Sequence, residues 1–187
     1  MSAAAPDLKE LLRRMDGAVE TLRKELQGLR TGRASPNLLE PVQVEAYGGH
    51  MALKEVASIT VPEPRMLLVN VWDRALVKAV DKAIRGAGLG LNPVSEGQTL
   101  RVPLPELTQE RRQELVKAAH KYAEQARVAV RNLRHEGLNQ LKRADKDSHL
   151  SDEDYKRMSE EIQKLTDRHV EAINKLLEQK EKDIRQV

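Results

Sequence analysis

Apolar side chains near the start of the chain recur at intervals of three or four residues, the spacing of one helix face. The members of this face are Leu8, Leu11, Met15, Val19, Leu22, Leu26 and Leu29. Pro6 suits the start of a helix and Gly32 suits its end. The pattern therefore predicts one long amphipathic helix over residues 7–30.

The same spacing returns in residues 107–187 and predicts two more long helices. One apolar face comprises Leu115, Ala119, Tyr122, Ala126, Ala129 and Leu133, and the next comprises Tyr155, Met158, Ile162, Leu165, His169, Ala172 and Leu176. A polar run at Asp145–His149 predicts a break between them, and a capping box beginning at Ser151 predicts the start of the last helix. Because the connection is short, these two helices are expected to be antiparallel neighbours.

The middle of the chain, residues 37–104, has the pattern of a small α/β module. Val42, Val44 and Ala46 alternate with polar residues, which is the period of a half-buried strand. Asp73 is placed to cap a short helix over 74–85, which Gly86 would end. Further predicted elements are strands at 58–61, 66–71 and 99–102, and turns at Gly48–Gly49 and 88–93.

A single long helix cannot bury its apolar face alone, so the first helix is expected to pack against the two C-terminal helices. The predicted fold class is α+β: a long antiparallel three-helix bundle (1–33 and 105–187) interrupted by an inserted small α/β, β-rich domain (34–104). The chain crosses between the two domains twice, in proline-containing segments that predict a hinge. The predicted hinge residues are Arg33, Ala34, Ser35, Pro36, Pro103, Leu104 and Pro105.

Composition excludes several classes of function. The chain has no Cys, which removes disulfides, Cys-ligated zinc, iron–sulfur clusters and thiol nucleophiles. No apolar run approaches the roughly 18–20 residues of a membrane helix, and the N-terminus does not resemble a secretory signal. We therefore expect a soluble, cytoplasmic protein with no membrane partner. With one Trp, three Tyr and no Phe, a base-stacking platform for single strands is disfavoured.

The formal net charge is only +3, but the charge is unevenly distributed along the chain. Segment 34–104 has seven basic and seven acidic residues and is neutral. Segment 111–146 has ten Lys and Arg against four Asp and Glu, an excess of six positive charges. Segment 151–187 has eight basic and ten acidic residues. The middle helix is therefore the positive one.

Three arginines of this helix form a stripe. At about 100° per residue, Arg127, Arg131 and Arg134 fall within roughly 60° of one another and are expected to face solvent. The residues that extend the stripe or are placed to join it are His120, Lys142, Arg30 and Arg33. Because the arginine fork matches phosphate oxygens, such a row on a rigid helix suits a structured nucleic-acid backbone.

A simpler interpretation of the stripe is a solvated helix face, partly neutralised by Glu124 and Glu136. Catalytic signals are weak. The five histidines have no ligand-like spacing, and His169 lies on the apolar face, where a packed residue is expected. The segment Gly86–Gly90 lacks both GxGxxG and the GK[ST] ending of nucleotide loops. We therefore expect that the protein is not an enzyme.

Four segments of the chain resemble those of the ribosome recycling factor family. They are LRTGRASPNLL at 29–39, LGLNP at 89–93, RVPLPELTQERRQEL at 101–115 and EQARVAVRNLRHE at 124–136. The resemblance covers essentially the whole chain, including its length and the order of helix, α/β insert and helix pair. It implies a two-domain, L-shaped protein without enzymatic activity.

The resemblance also implies a function. Factors of this family bind the post-termination ribosome between the A and P sites, with the helical bundle on large-subunit rRNA. Elongation factor G, using GTP, then acts on the smaller domain, and the two factors split the ribosome into subunits, with release of mRNA and deacylated tRNA. The expected partners are therefore the ribosome, its large-subunit rRNA and elongation factor G. No cofactor is expected, since the GTP is used by elongation factor G, and the chain is expected to be a monomer.

Particular residues follow from the matched motifs. The RNA-facing positions of LRTGRASP and VRNLR are Arg30, Arg33, Arg131, Asn132 and Arg134. Arg127 is added from the stripe, and Arg111 from the ERR segment. Two residues depart from the family pattern: His135 stands where a second Arg often follows, and Gly137 costs a helix about 1 kcal/mol relative to Ala.

Two other functions remain open at this point. One is a helical scaffold whose α/β insert binds a protein partner, with the arginine stripe merely solvated. The other is an enzyme that uses carboxylates, for which nothing in the residue spacing indicates a substrate pocket.

Overall fold

A computed structural model describes residues 4–29 and 31–186. The helices are α1 (Leu8–Gly28), α2 (Val77–Gly86), α3 (Gln109–Ser148) and α4 (Asp152–Arg185). The strands are β1 (Gln43–Ala46), β2 (Gly49–Ala52), β3 (Ala57–Glu63), β4 (Met66–Val71), β5 (Val94–Glu96) and β6 (Thr99–Pro103). Short 3₁₀ helices lie at Pro36–Leu39, Leu53–Glu55 and Arg74–Leu76.

The described residues divide into two compact units. The helical unit is the described part of Met1–Leu29 together with Arg112–Arg185, and the small unit is the described part of Arg30–Arg111. The predicted α+β fold with two domains is confirmed. The predicted boundaries, after residues 33 and 104, stay a prediction. In the described part of the chain, each helix is too short or too polar to cross a membrane.

The helical unit is held together by the apolar faces of its three long helices. Its buried core consists of Leu11, Met15, Val19, Leu22, Leu26, Ala119, Ala123, Ala126, Val130, Leu133, Leu141, Ile162, Leu165, Ile173 and Leu177. Each large aliphatic side chain buried in this way contributes about 1.5–3 kcal/mol. The predicted face of α1 is confirmed from Leu11 to Leu26, with Leu8 and Leu29 partly buried at its ends.

On α3 and α4 some buried positions lie one residue beyond the predicted ones. On α3, Tyr122 and Ala129 are only partly buried and Ala123 and Val130 occupy the core instead, while the other four predicted positions are buried. On α4, Ile173 replaces Ala172 in the same way. The predicted α4 positions average about 3.5 residues per interval, whereas a straight helix turns once per 3.6 residues, so the predicted face of α4 falls behind the buried one toward its C-terminal end.

Contacts between α3 and α4 step in opposite directions along the two helices, which confirms that they are antiparallel neighbours. From one end to the other, these contacts join Arg112 to Arg185, His120 to Glu181, Arg127 to Asn174 and Arg134 to Gln163. The register of the pair is therefore held by polar side chains along most of its length.

The turn between α3 and α4 is shorter than predicted. The run that begins at Asp145 stays helical through Ser148. It directly follows Leu141 and Ala144, which are buried in the core and extend the packed part of α3 to this point. The chain leaves the helix at His149, whose φ of 49° lies in the left-handed region. Ser151 then caps α4, its Oγ accepting from the Asp154 amide at 3.1 Å. The predicted capping serine is confirmed, and the predicted break was too early.

Gly137, the glycine within α3, faces side chains of both α1 and α4. A Cβ at this position would meet Leu11 Cδ2 at 3.1 Å and Ile162 Cδ1 at 3.4 Å. The residue is buried, so its missing side chain allows the neighbouring helices to pack. Gly137 therefore lowers the intrinsic stability of α3, but it allows α1 and α4 to pack closely against α3 at this position.

The small unit is a four-stranded antiparallel sheet, in the order β3-β4-β6-β5, with a separate β1–β2 hairpin. Its buried core comprises Ala34, Leu39, Val42, Val44, Ala46, Leu53, Val56, Ala57, Leu67, Val69, Val71, Leu76, Val77, Val80, Ile84, Leu91, Leu100 and Val102. The alternation predicted at Val42, Val44 and Ala46 is confirmed, since all three are buried between exposed neighbours. The four predicted strands are all present.

Several local features of the small unit differ from the prediction. Strands β2 and β5 were missed because their side chains are largely exposed and only pairing with β1 and β6 defines them. The helix predicted after Asp73 begins as a 3₁₀ turn, and α2 proper starts at Val77. The predicted cap is confirmed, because the Asp73 carboxylate accepts from the Ala75 amide at 3.0 Å. In the helical unit, α1 ends at Gly28 rather than near Gly32.

Both predicted crossings are tied by backbone hydrogen bonds to the β3–β4 turn. The Ala34 amide donates to the Pro64 carbonyl at 2.7 Å, and the Leu104 amide donates to the Arg65 carbonyl at 2.8 Å. Ser35 caps the first 3₁₀ helix by accepting from the Asn37 amide at 3.3 Å. These segments are therefore integral parts of the small unit, and their action as a hinge stays a prediction.

The β1–β2 hairpin turns through Tyr47 and Gly48, whose φ angles are 52° and 79°. Two positive φ angles in a two-residue hairpin loop are the pattern of a type I′ turn, which a bulky residue seldom enters. The Tyr47 hydroxyl donates to the Asp73 carboxylate at 2.7 Å. This hydrogen bond, together with that from the Ala75 amide, lowers the pKa of Asp73.

Two glycines in long helices provide a matched test of packing. Replacing Gly137 with Leu should destabilise the protein by about 1–3 kcal/mol, because the added atoms enter a space already filled by Leu11 and Ile162. Gly17→Ala in α1 should instead stabilise by about 0.5–1 kcal/mol, since no atom lies within 4 Å of a Cβ there. Urea denaturation measures both, and equal effects of the two changes would contradict the close packing at Gly137.

Replacing Tyr47 with Phe should raise the pKa of Asp73 toward its ordinary value of 3.8, because the main hydrogen bond to the carboxylate is lost. In the native protein the folded-state pKa is the lower one. The contribution of Asp73 to stability is therefore complete above pH 3.8 and is lost as the pH falls through the lowered pKa. A carbon-13 NMR titration of the carboxyl group measures the shift. Tyr155→Phe, in the other unit, serves as the control and should leave the pKa of Asp73 unchanged. An unchanged pKa of Asp73 in Tyr47→Phe would refute the conclusion that the Tyr47 hydroxyl lowers it.

Candidate nucleic-acid interface

Two arginines of the α3 stripe, Arg127 and Arg134, contact α4. Arg127 is largely enclosed, with only 18% of its side chain exposed. Its Nε donates to Asn174 Oδ1 on α4 at 3.0 Å, and its Nη1 donates to Glu124 Oε2 at 3.0 Å. The prediction that Arg127 faces solvent was wrong, because α4 packs against this side of α3 and encloses the side chain.

Arg131, one turn further along α3, is far more open. Its side chain is 53% exposed, and its Nη1 lies 3.5 Å from Glu124 Oε1. Glu124 thus faces both Arg127 and Arg131, which confirms the predicted partial neutralisation by this residue. A single carboxylate shared by two guanidinium groups leaves a net positive charge at this point of the helix.

Arg134 is held in a different way. Its Nε donates to the side-chain oxygen of Gln163 on α4 at 2.8 Å. The Gln163 amide nitrogen in turn donates to Asp167 Oδ1 at 2.8 Å. In the described residues no carboxylate forms an ion pair with Arg134, so a neutral amide fixes its guanidinium group and its full charge is retained.

The other charged residues near the stripe have specific partners. Glu136, predicted to neutralise the stripe, instead pairs across the bundle with Arg14 of α1 at 2.8 Å. His120 Nε2 contacts the Glu181 carboxylate of α4, so this histidine has a partner within the bundle and does not extend a free row. Lys142 is exposed. Within the predicted stripe, Arg131 and Arg134 are therefore the arginines that remain for a partner, and Lys142 continues the exposed positive charge further along α3.

The remaining predicted RNA-facing residues differ in what the structure says of them. Asn132 is exposed on α3 between Arg131 and Arg134. Arg33 and Arg111 are exposed but group with the small unit, so their membership of one surface with the α3 arginines stays a prediction. Arg30 lies outside the described residues.

His169, the histidine on the apolar face, is 6% exposed and packed between α1 and α4. Its Nδ1 lies 2.5 Å from the Leu165 carbonyl oxygen, and its Nε2 lies 2.7 Å from Asp16 Oδ1. The prediction of a packed histidine is confirmed. Within residues 4–29 and 31–186, no three His, Asp or Glu side chains gather as a metal site requires.

Gln163, Asp167 and Asn174 are the residues of this surface that the sequence did not reveal. All three lie on α4, and two of them hold arginines of α3. The only local signal was the spacing of four between Gln163 and Asp167, which allows their side chains to meet on one helix. Their contact with the arginines depends on the register between α3 and α4, which no local pattern encodes.

Fold and surface together define a class: two-domain α+β proteins that present guanidinium groups on a rigid antiparallel helix seam. A family model described as Ribosome recycling factor matches residues 22–184. A ribosome-recycling factor of Rhodospirillum centenum is 62% identical over 98% of this chain and 100% of the relative. One of Methylobacterium nodulans is 54% identical over the full length of both proteins. The chain belongs to the ribosome recycling factor family.

Solved structures agree with this assignment. A solution structure of a ribosome recycling factor is 42% identical, with a TM-score of 0.66 over 98% of this chain and 100% of that one. A second, 47% identical with a TM-score of 0.59, covers 96% of this chain and 99% of the other. It is the T. thermophilus factor in models with E. coli elongation factor G bound to the E. coli post-termination complex. The family is one of translation factors that act in ribosome recycling.

The unequal burial of two arginines predicts unequal effects on stability. Arg127→Ala should lower the free energy of unfolding by about 1–2 kcal/mol, because it removes two hydrogen bonds at a largely buried side chain. Arg131→Ala should change it by less than about 0.5 kcal/mol, since its ion pair is long and solvent-exposed. Urea denaturation monitored by circular dichroism compares the two. A larger loss of unfolding free energy for Arg131→Ala than for Arg127→Ala would contradict the conclusion that Arg127 is the arginine that stabilises the bundle.

Proposed function

We propose that this chain recycles ribosomes after termination. It binds the post-termination ribosome between the A and P sites through its helical unit, and with elongation factor G and GTP it splits the ribosome into subunits. The mRNA and deacylated tRNA are released in the process. Membership of the family supports this function, and the observation that carries it is the arginine pair of α3: the Arg131 side chain is 53% exposed, and Arg134 is held through Nε alone.

The proposed ligand of this surface is the phosphate backbone of large-subunit rRNA. Planar guanidinium groups bind phosphate oxygens through paired N–H donors, and a long packed helix presents them at constant spacing. Exposed aromatic side chains are absent from the described part of the helical unit, where Tyr122 and Tyr155 are partly buried. Such a surface suits folded RNA recognised by its backbone rather than unstacked bases.

Elongation factor G is the proposed partner of the small unit. Segment 34–104 carries no net charge, so it lacks the electrostatic character of an RNA-binding surface. It does expose aromatic rings: Tyr47 is 74% exposed and Trp72 is 62% exposed. Trp and Tyr are the side chains most enriched at the centres of protein interfaces. These features favour a protein contact for the small unit, as does the solved relative described with elongation factor G.

In this mechanism the chain performs no chemistry and needs no cofactor. The helical unit supplies a rigid anchor, and the small unit receives the force that elongation factor G generates with GTP. The two crossings, Arg33–Pro36 and Pro103–Pro105, are proposed to guide the motion between the units. The proposed setting is the cytoplasm, with the chain acting as a monomer.

Light scattering of ribosomes that carry mRNA and deacylated tRNA tests this function. A fall in scattering that requires this chain, elongation factor G and GTP together is the expected result. Arg134→Ala should weaken ribosome binding by about 1–3 kcal/mol with little change in melting temperature, because it removes a charged hydrogen-bond donor from the surface. Binding of the unsubstituted chain should fall steeply with salt, as expected when phosphates are neutralised.

The other outcomes separate the alternatives. Trp72→Ala should leave ribosome binding unchanged and slow the splitting, if the small unit contacts elongation factor G through its exposed rings. Salt-sensitive binding without splitting would retain the RNA anchor and reject elongation factor G as the partner. Ribosome binding that neither salt nor Arg134→Ala affects would support the helical scaffold with a solvated arginine stripe.

A further inference from the structure

We propose that Gln163 and Asp167 of α4 are positioning residues for RNA binding: they orient the Arg134 guanidinium group toward phosphate without neutralising its charge. The inference rests on the proposed function of the α3 surface, and it names residues on a different helix as part of that site. It follows from the chain of two hydrogen bonds, each 2.8 Å long, that runs from Arg134 through Gln163 to Asp167.

The first step concerns which nitrogen of Arg134 is used. A guanidinium group has five N–H donors in a planar fork, of which Nε contributes one. Gln163 accepts from Nε. Since the group is planar, fixing Nε also fixes the directions of both terminal nitrogens, and in the described residues no other hydrogen bond occupies them. Arg134 is thus held through Nε, while the N–H groups of its two terminal nitrogens stay available for a phosphate.

The second step concerns charge. The guanidinium groups of Arg127 and Arg131 both face the Glu124 carboxylate, which offsets part of their positive charge. The acceptor that holds Arg134 is an uncharged amide. A carboxylate at the same position would give a stronger hydrogen bond, but it would also compete with phosphate for the cation. The amide therefore separates the two tasks of holding the arginine and keeping it charged.

The third step concerns the direction of the amide. A glutamine side chain presents either its oxygen or its NH₂ group to a neighbour, and only the oxygen can accept from Arg134. Asp167, four residues along α4, accepts from the Gln163 nitrogen and so turns the oxygen toward Arg134. The Asp167 carboxylate thus accepts a hydrogen bond from the Gln163 amide and forms no ion pair with the Arg134 guanidinium group.

The test compares two glutamines on the same helix. Gln163→Ala should weaken binding to ribosomes about three- to tenfold, the range expected when a mobile side chain must be ordered on binding. Gln179→Ala is the matched control, because Gln179 also donates to an aspartate four residues along, Asp183, at 3.1 Å. The control should leave binding unchanged. Melting temperatures of both variants establish that the bundle remains folded.

Two further measurements distinguish positioning from a merely structural role. In nitrogen-15 NMR of the free protein, the Arg134 Nε–H resonance should lose its hydrogen-bond shift in Gln163→Ala and keep it in Gln179→Ala. Gln163→Glu keeps an oxygen that can accept from Arg134, although it loses the donor to Asp167, and its negative charge should lower the magnitude of the salt slope by about 1, as Arg134→Ala does, since each effectively removes one phosphate contact. Gln163→Ala should leave that slope nearly unchanged, because Arg134 remains charged.

A double-mutant cycle completes the test. If Gln163 acts through Arg134, then Gln163→Ala should have no additional effect on binding in an Arg134→Ala background. Additive effects of the two substitutions would overturn the positioning role. It would also be overturned if Arg134→Ala binds weakly while a folded Gln163→Ala variant binds normally. Normal binding by Arg134→Ala itself would instead overturn the proposed RNA surface, so the two failures are distinguishable.

Discussion

The packing of α4 against both α1 and α3 is the constraint on which the rest of the helical unit depends. The apolar core draws side chains from all three helices, and each large aliphatic side chain in it contributes about 1.5–3 kcal/mol. Polar contacts follow the α3–α4 pair, from Arg112–Arg185 to Arg134–Gln163, in the register that this core sets. Gly137 of α3 leaves space for Leu11 of α1 and Ile162 of α4.

The same seam builds the candidate RNA surface. Side chains of α3 that are alike in sequence become different once α4 is in place: Arg127 is enclosed, Arg131 shares a carboxylate, and Arg134 is held by an amide. An arginine on an isolated helix would sample many rotamers, and each would have to be selected on binding. Packing against a second helix restricts that freedom before the partner arrives.

The small unit differs from the helical unit in its core, its charge and the position of its exposed aromatic rings. Its core is a compact aliphatic sheet and helix, its charge is balanced, and its exposed rings lie at turns rather than on a long rigid face. Tyr47 occupies a left-handed position that its bulk disfavours, and its hydroxyl is bonded to the residue that caps the following 3₁₀ helix. Both crossing segments are bonded to one turn of the sheet. These hydrogen bonds make both crossing segments part of the small unit.

The sequence by itself determined the element types, the two-domain α+β class, the helix faces to within one residue and the position of the positive helix. These follow from periodicity, capping and charge, which act over a few residues. It also identified Arg131 and Arg134 as candidates. Only the tertiary structure decided that Arg127 is enclosed, that Glu136 pairs with Arg14, and that Gln163 holds Arg134. The physical reason is that each of these outcomes joins residues on different helices. Which side chains meet depends on how the packed helices are aligned, and no pattern within one helix encodes that alignment.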